Sequence, residues 1–134
     1  MSREFKRSFE ALDEVFAFAD QFFDEHKVGG KTAFALKLAI EEVFTNFVKY
    51  NPDSPQLVTI ELEETDGDVV VTLIDPDTNP FDITEYDLAD TTSALEDRTP
   101  GGLGIYLVRK MVDDVQFEHA DRQSTIILIK TAGH

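Results

Sequence analysis

At 134 residues the chain is long enough to bury most of a two-layer core and is expected to form one domain, 1–134. Its 27 acidic against 12 basic residues give a formal charge of −15, which disfavours nucleic acid, since binding it relies on Lys and Arg neutralising phosphates, and favours a protein partner. The lack of cysteine excludes disulfides, thiolate metal sites and thiol nucleophiles. With no long apolar run and no apolar core in the charged start Met1-Ser2-Arg3-Glu4, no membrane association and a cytoplasmic address are expected.

Taken in chain order, residues 4–7 read as a short edge strand. From Ser8 to Lys27, Phe9, Leu12, Phe16, Ala19 and Phe23 recur at steps of three and four, with Val15 and Phe22 widening the stripe. That spacing predicts an amphipathic helix, with Ser8 able to cap it and Val28-Gly29-Gly30 ending it. A second helix is predicted from about Lys31 to Tyr50, burying Leu36, Ile40, Val43 and Phe47, and the loop Asn51-Pro52-Asp53-Ser54-Pro55 stops it.

Leu57 to Glu64 and Asp68 to Ile74 alternate apolar and polar residues around Asp66-Gly67, the pattern of an antiparallel hairpin. Val115 to Ala120 and Ser124 to Lys130 repeat it around Asp121-Arg122-Gln123. Between the hairpins lie a polar loop from about Pro76 to Pro100 and a helix from near Gly104. A loop of that length suggests a lid, with Thr84 to Thr99 as its mobile part. The element order segregates helices onto one face of a mainly antiparallel sheet, an α+β two-layer sandwich.

Two segments carry chemistry. Glu42 and Asn46 lie four residues apart in an otherwise apolar helical pattern, hence on one face. Burying such groups without partners costs roughly 2–7 kcal/mol each, so they need a bound metal or nucleotide, or bonds to backbone or to each other. Downstream, Gly101-Gly102-Leu103-Gly104 opens into the apolar run Ile105-Tyr106-Leu107-Val108. The free N–H groups of a helix start suit phosphate oxygens, although glycines also mark plain turns.

These segments, together with the predicted strand end Ile74-Asp75 and the following Pro76-Asp77-Thr78-Asn79-Pro80-Phe81-Asp82, resemble the anti-sigma-factor serine/threonine kinases. That family is a small stand-alone branch of the histidine-kinase-like (GHKL) ATPase superfamily, which also contains DNA gyrase, heat-shock chaperones, sensor histidine kinases and mismatch-repair ATPases. The resemblance spans nearly the whole chain and implies a Bergerat-type ATP-binding fold with ATP and Mg2+ as cofactors. It makes Glu42 the general base, Asn46 the Mg2+ ligand and Asp75 the acceptor for the adenine amine. Gly102 and Gly104 would close a lid on the phosphates, with the Leu103 and Ile105 amides available to oxygens.

Arg98 could reach a γ-phosphate or be a solvated loop arginine, and Lys49 reads first as a surface lysine. Asp75 could instead bond turn amides. The chain departs from the family where Asp77 replaces a common glycine and where Tyr50 replaces a common histidine. His26, His119 and His134 have no metal spacing.

The implied function is phosphorylation of a small antagonist protein and sequestration of a sigma factor or equivalent regulator by a homodimer. The alternative is a non-catalytic interaction module that has kept the fold. No phosphoacceptor helical hairpin precedes the ATPase-like region, so a sensor histidine kinase is disfavoured.

Overall fold

The computed structural model describes residues 1–51, 53–77 and 108–132. The expected lid, the helix start near Gly104 and the candidates Arg98, Gly102, Leu103, Gly104 and Ile105 lie outside these residues. Five described strands form one sheet: β1 (Ser2–Phe5), β2 (Val58–Thr65), β3 (Asp68–Asp75), β4 (Asp114–Ala120) and β5 (Gln123–Thr131), in the order β1-β2-β3-β5-β4 with every neighbour antiparallel. Helices α1 (Leu12–Glu25) and α2 (Gly30–Tyr50) share one core with it, giving the expected α+β arrangement.

Strand alternation puts one row of side chains toward the helices. Ile60 pairs with Leu73, which pairs with Ile126; Leu62 pairs with Val71, which pairs with Leu128. All six are essentially fully buried against Leu36, Ile40, Val43, Phe44 and Phe47 of α2 and Val15, Phe18 and Phe22 of α1 in a single cluster. The same alternation carries on to Asp75, so a carboxylate takes the position that an aliphatic residue would fill.

Both hairpin turns use consecutive left-handed residues. Asp66 (φ 52°) and Gly67 (φ 86°) join β2 to β3, as the Asp-Gly pair predicts. Asp121 (φ 52°) and Arg122 (φ 66°) join β4 to β5, so the turn is two residues rather than three and Gln123 already pairs with Ala120.

The first helix differs from its sequence reading. A 3-10 turn, Phe9–Ala11, precedes α1, and Ser8 makes no side-chain cap; its carbonyl accepts the Ala11 N–H at 3.2 Å instead. Within α1 the buried residues are Val15, Ala19, Phe22 and Phe23, as expected, together with Phe18, while the 3-10 turn takes the residues before Leu12 out of that register, burying Ala11 and leaving Phe9 51% exposed.

Nor do the glycines end α1. Lys27 takes the left-handed position (φ 54°), and the Lys27 and Val28 N–H groups bond back to Asp24 and Phe23 carbonyls at 3.4 and 3.0 Å. Gly29 is freed to start α2, its carbonyl accepting from Ala33 N–H at 2.8 Å. The edge strand sits two residues earlier than expected, at Ser2–Phe5, which leaves Arg7 in the turn after it.

Candidate functional site

The last turns of α2 and the end of β3 bring Glu42, Asn46 and Asp75 onto adjoining elements, and Arg7 and Asn51 tie those elements together. Residues 39–48 of α2 are needed by the core on one side, with Ala39, Ile40, Val43, Phe44, Phe47 and Val48 buried. Asn46 falls among them and has no exposed surface. Its Nδ2 donates to the Glu42 carbonyl at 2.5 Å, which fixes the amide and identifies the other end as oxygen. That Oδ1 is buried and has no hydrogen-bond partner. An orphaned buried carbonyl oxygen costs about 1–3 kcal/mol, and a hard-oxygen ligand is what Mg2+ takes. Asn46 therefore has the donor chemistry of the Mg2+ ligand that the resemblance implies.

Glu42 is half-buried one turn earlier. Its carboxyl is pushed above the usual range chiefly by burial, then by repulsion from Glu41, with Lys49 pulling the other way. A carboxylate so raised is a stronger base than a solvated one.

Asp75 is fully buried and engaged on both oxygens. Arg7 Nη1 donates to Oδ2 and Nη2 to Oδ1, each at 2.6 Å, and the Asp77 N–H donates to Oδ1 at 2.9 Å. Arg7 Nη1 also donates to the Phe47 carbonyl at 3.3 Å, and only 2% of the Arg7 side chain is exposed. A planar fork matched to a carboxylate is the strong, geometrically specific form of ion pair. Arg7 thus joins the turn after β1, the C-terminal half of α2 and the end of β3.

Asp77, the departure from the family pattern, is a structural junction. Its carbonyl accepts from Asn51 Nδ2 at 2.6 Å, and its carboxylate meets Arg122 of the β4–β5 turn at 2.7 Å from Nη2 and 2.8 Å from Nε. A hydrogen bond from Ser54 and the Arg122 contact hold the Asp77 carboxyl below its usual range.

Among the described residues, no group of three or more His, Cys, Asp or Glu is arranged to hold a metal, and no helix is long and apolar enough to cross a membrane. Sequence reading missed Arg7, Asn51 and Arg122, because each acts on a partner far along the chain; Arg7 and Asp75 are 68 residues apart. Its one local signal was an arginine ending a stretch otherwise read as strand.

The family model of the histidine kinase-like ATPase domain matches residues 5–130, and the chain belongs to that family. No curated protein matches it in sequence. The fold is similar to the RsbU and RsbW domains of Rv1364c from Mycobacterium tuberculosis, at 16% identity and TM-score 0.68, covering 98% of this chain and 32% of that one. It is also similar to a chain of the SiaB-SiaC complex from Pseudomonas aeruginosa, at 11% identity and TM-score 0.69, covering 96% and 88%. A third likeness is the Acinetobacter baumannii histidine kinase AdeS, at 11% identity and TM-score 0.55, covering 100% and 68%. The chain thus spans about a third of the first of these, and identities this low carry the fold alone.

Proposed function

We propose that this chain, as a single domain over residues 1–134, is a cytoplasmic Mg-ATP-dependent protein serine/threonine kinase of the anti-sigma-factor type. Its substrate is a small antagonist protein, and it sequesters a sigma factor or an equivalent regulator as a homodimer. The observation that carries the reading is the buried, unpartnered Oδ1 of Asn46 one turn from the raised carboxyl of Glu42. One helix face offers a hard metal ligand next to a base. The resemblance of the fold to proteins described as an RsbW domain and as part of a SiaB-SiaC complex supports a protein partner.

In this reading Asn46 Oδ1 would hold Mg2+, which would supply positive charge against the nucleotide phosphates. Glu42 accepts the proton of the substrate hydroxyl as that oxygen bonds to the γ-phosphorus. The bridging oxygen leaves with its electron pair on ADP. The resemblance to the anti-sigma-factor kinases would give Asp75 the base, and Gly102, Leu103, Gly104, Ile105 and Arg98 the phosphates.

A second reading, a non-catalytic partner-binding module, is favoured by the Arg7 fork, which already occupies Asp75. Titration calorimetry with ATP, with and without Mg2+, separates the two. Metal-dependent binding supports the kinase reading, and no heat at millimolar nucleotide overturns it.

A further inference from the structure

Asp75 is a fully buried carboxylate with both oxygens engaged. Three N–H groups converge on its two oxygens, it has no exposed surface, and it sits at a helix-facing position of β3 opposite Ser124. Arg7 is less completely satisfied. Two nitrogens serve Asp75 and one of them also serves Phe47, but its buried Nε–H has no acceptor. A guanidinium carries five donors, and an orphaned one in the interior is a cost that the pairing with Asp75 has to outweigh.

We propose that Arg7 competes with the exocyclic amine of a purine for Asp75, and so sets the base selectivity of the nucleotide site. The inference rests on the nucleotide-binding reading above. Two charge-assisted hydrogen bonds at 2.6 Å outrank the single bond that a neutral amine offers the same carboxylate. With Arg7 in place, a 6-amino group has little acceptor capacity to gain.

A 6-oxo group gains in turn. Its oxygen is repelled by a bare carboxylate but not by one neutralised by a guanidinium. The native site is therefore poorly selective between the two purine edges. Removing the guanidinium exposes the carboxylate's preference for an amine.

The test is calorimetry of Mg-ATP and Mg-ITP on the native chain and on Arg7→Met, whose apolar stem keeps the packing while its donors are gone; circular dichroism checks the fold. The native chain is expected to bind the two nucleotides within about tenfold of each other, less than the discrimination of one well-formed hydrogen bond to a charged group. Arg7→Met is expected to raise the preference for ATP by at least about tenfold, mainly through tighter ATP binding.

A native preference for ATP beyond about tenfold overturns the inference while leaving the kinase reading intact, and this arm holds even if Arg7→Met does not fold. An unchanged preference in folded Arg7→Met does the same. Binding of ATP by Arg7→Met but not by the native chain supports the competition in its strongest form. If neither protein binds either nucleotide, the nucleotide-binding reading falls and this inference with it.

Discussion

Asn46 donates its side-chain amide to the Glu42 carbonyl at 2.5 Å, so the residue assigned to the metal is oriented by the residue assigned to the proton. The bond satisfies the nitrogen end and leaves the oxygen end bare. Asn46→Ala removes both at once. The lost hydrogen bond, worth about 1 kcal/mol, is offset by deletion of an unsatisfied buried oxygen, so thermal stability is expected to change by no more than about 1 kcal/mol. Mg-dependent ATP binding is expected to collapse. Equal Mg-ATP affinity in Asn46→Ala, measured by calorimetry, would rule out the metal role.

The Arg7–Asp75 pair makes a prediction about folding that is separate from any ligand. Truncating one partner of a buried ion pair strands the other charge, at a cost of about 3–5 kcal/mol, whereas replacing both with apolar residues is often neutral. Asp75→Ala alone should therefore lower the urea midpoint sharply. The double variant Arg7→Met with Asp75→Leu should regain most of the loss. If the double variant is as unstable as Asp75→Ala, the pair does not behave as an isolated charge couple, and the bonds to Phe47 and Asp77 carry more of the stability.

Much of this arrangement was legible in the sequence, for reasons that are local. The buried residues Leu36, Ile40, Val43 and Phe47 keep one helical phase, and Asp66-Gly67 demands a tight turn, so α2 and the β2–β3 hairpin could be read directly. Glu42 and Asn46 stood out because they interrupt an apolar face. The face of α1 was read in part: Val15, Ala19, Phe22 and Phe23 are buried as expected, but Phe9 is not, because the short 3-10 turn at Phe9–Ala11 takes it out of the helical register without any sequence break. Arg7 was invisible for a different reason. Its partner is brought near only by the completed sheet, and an arginine in a charged N-terminal segment looks like any other surface residue.

Lys27 offers a test of the backbone that ignores function. It holds the left-handed position at the end of α1, which costs a residue with a Cβ about 1–2 kcal/mol, while a glycine there loses more chain entropy on folding. The net effect of Lys27→Gly is expected to be a stabilisation of about 0.5–1 kcal/mol. A higher denaturant midpoint at unchanged slope is the expected readout. A lower midpoint would mean that the Lys27 side chain makes a contact worth more than the backbone strain.

Glu42 joins stability to chemistry through its raised carboxyl. Burial and the neighbouring Glu41 favour the neutral form in the folded chain. Its contribution to stability is therefore full below the unfolded value of 4.5 and is lost as pH rises through the higher folded value. Glu42→Gln removes that loss, so at neutral pH the variant should be more stable than the native chain, and the difference should vanish toward pH 4. Phosphate transfer should move the opposite way, falling by roughly 10²–10⁴-fold with nucleotide affinity retained. The acid limb of the native pH–rate profile should lie above 4.5, since the base acts only when ionised. Thermal melts at several pH values and single-turnover transfer to the protein substrate read the two effects separately. Greater stability with unchanged transfer would leave the electrostatics standing and move the base role to another acid, with Glu41 the nearest.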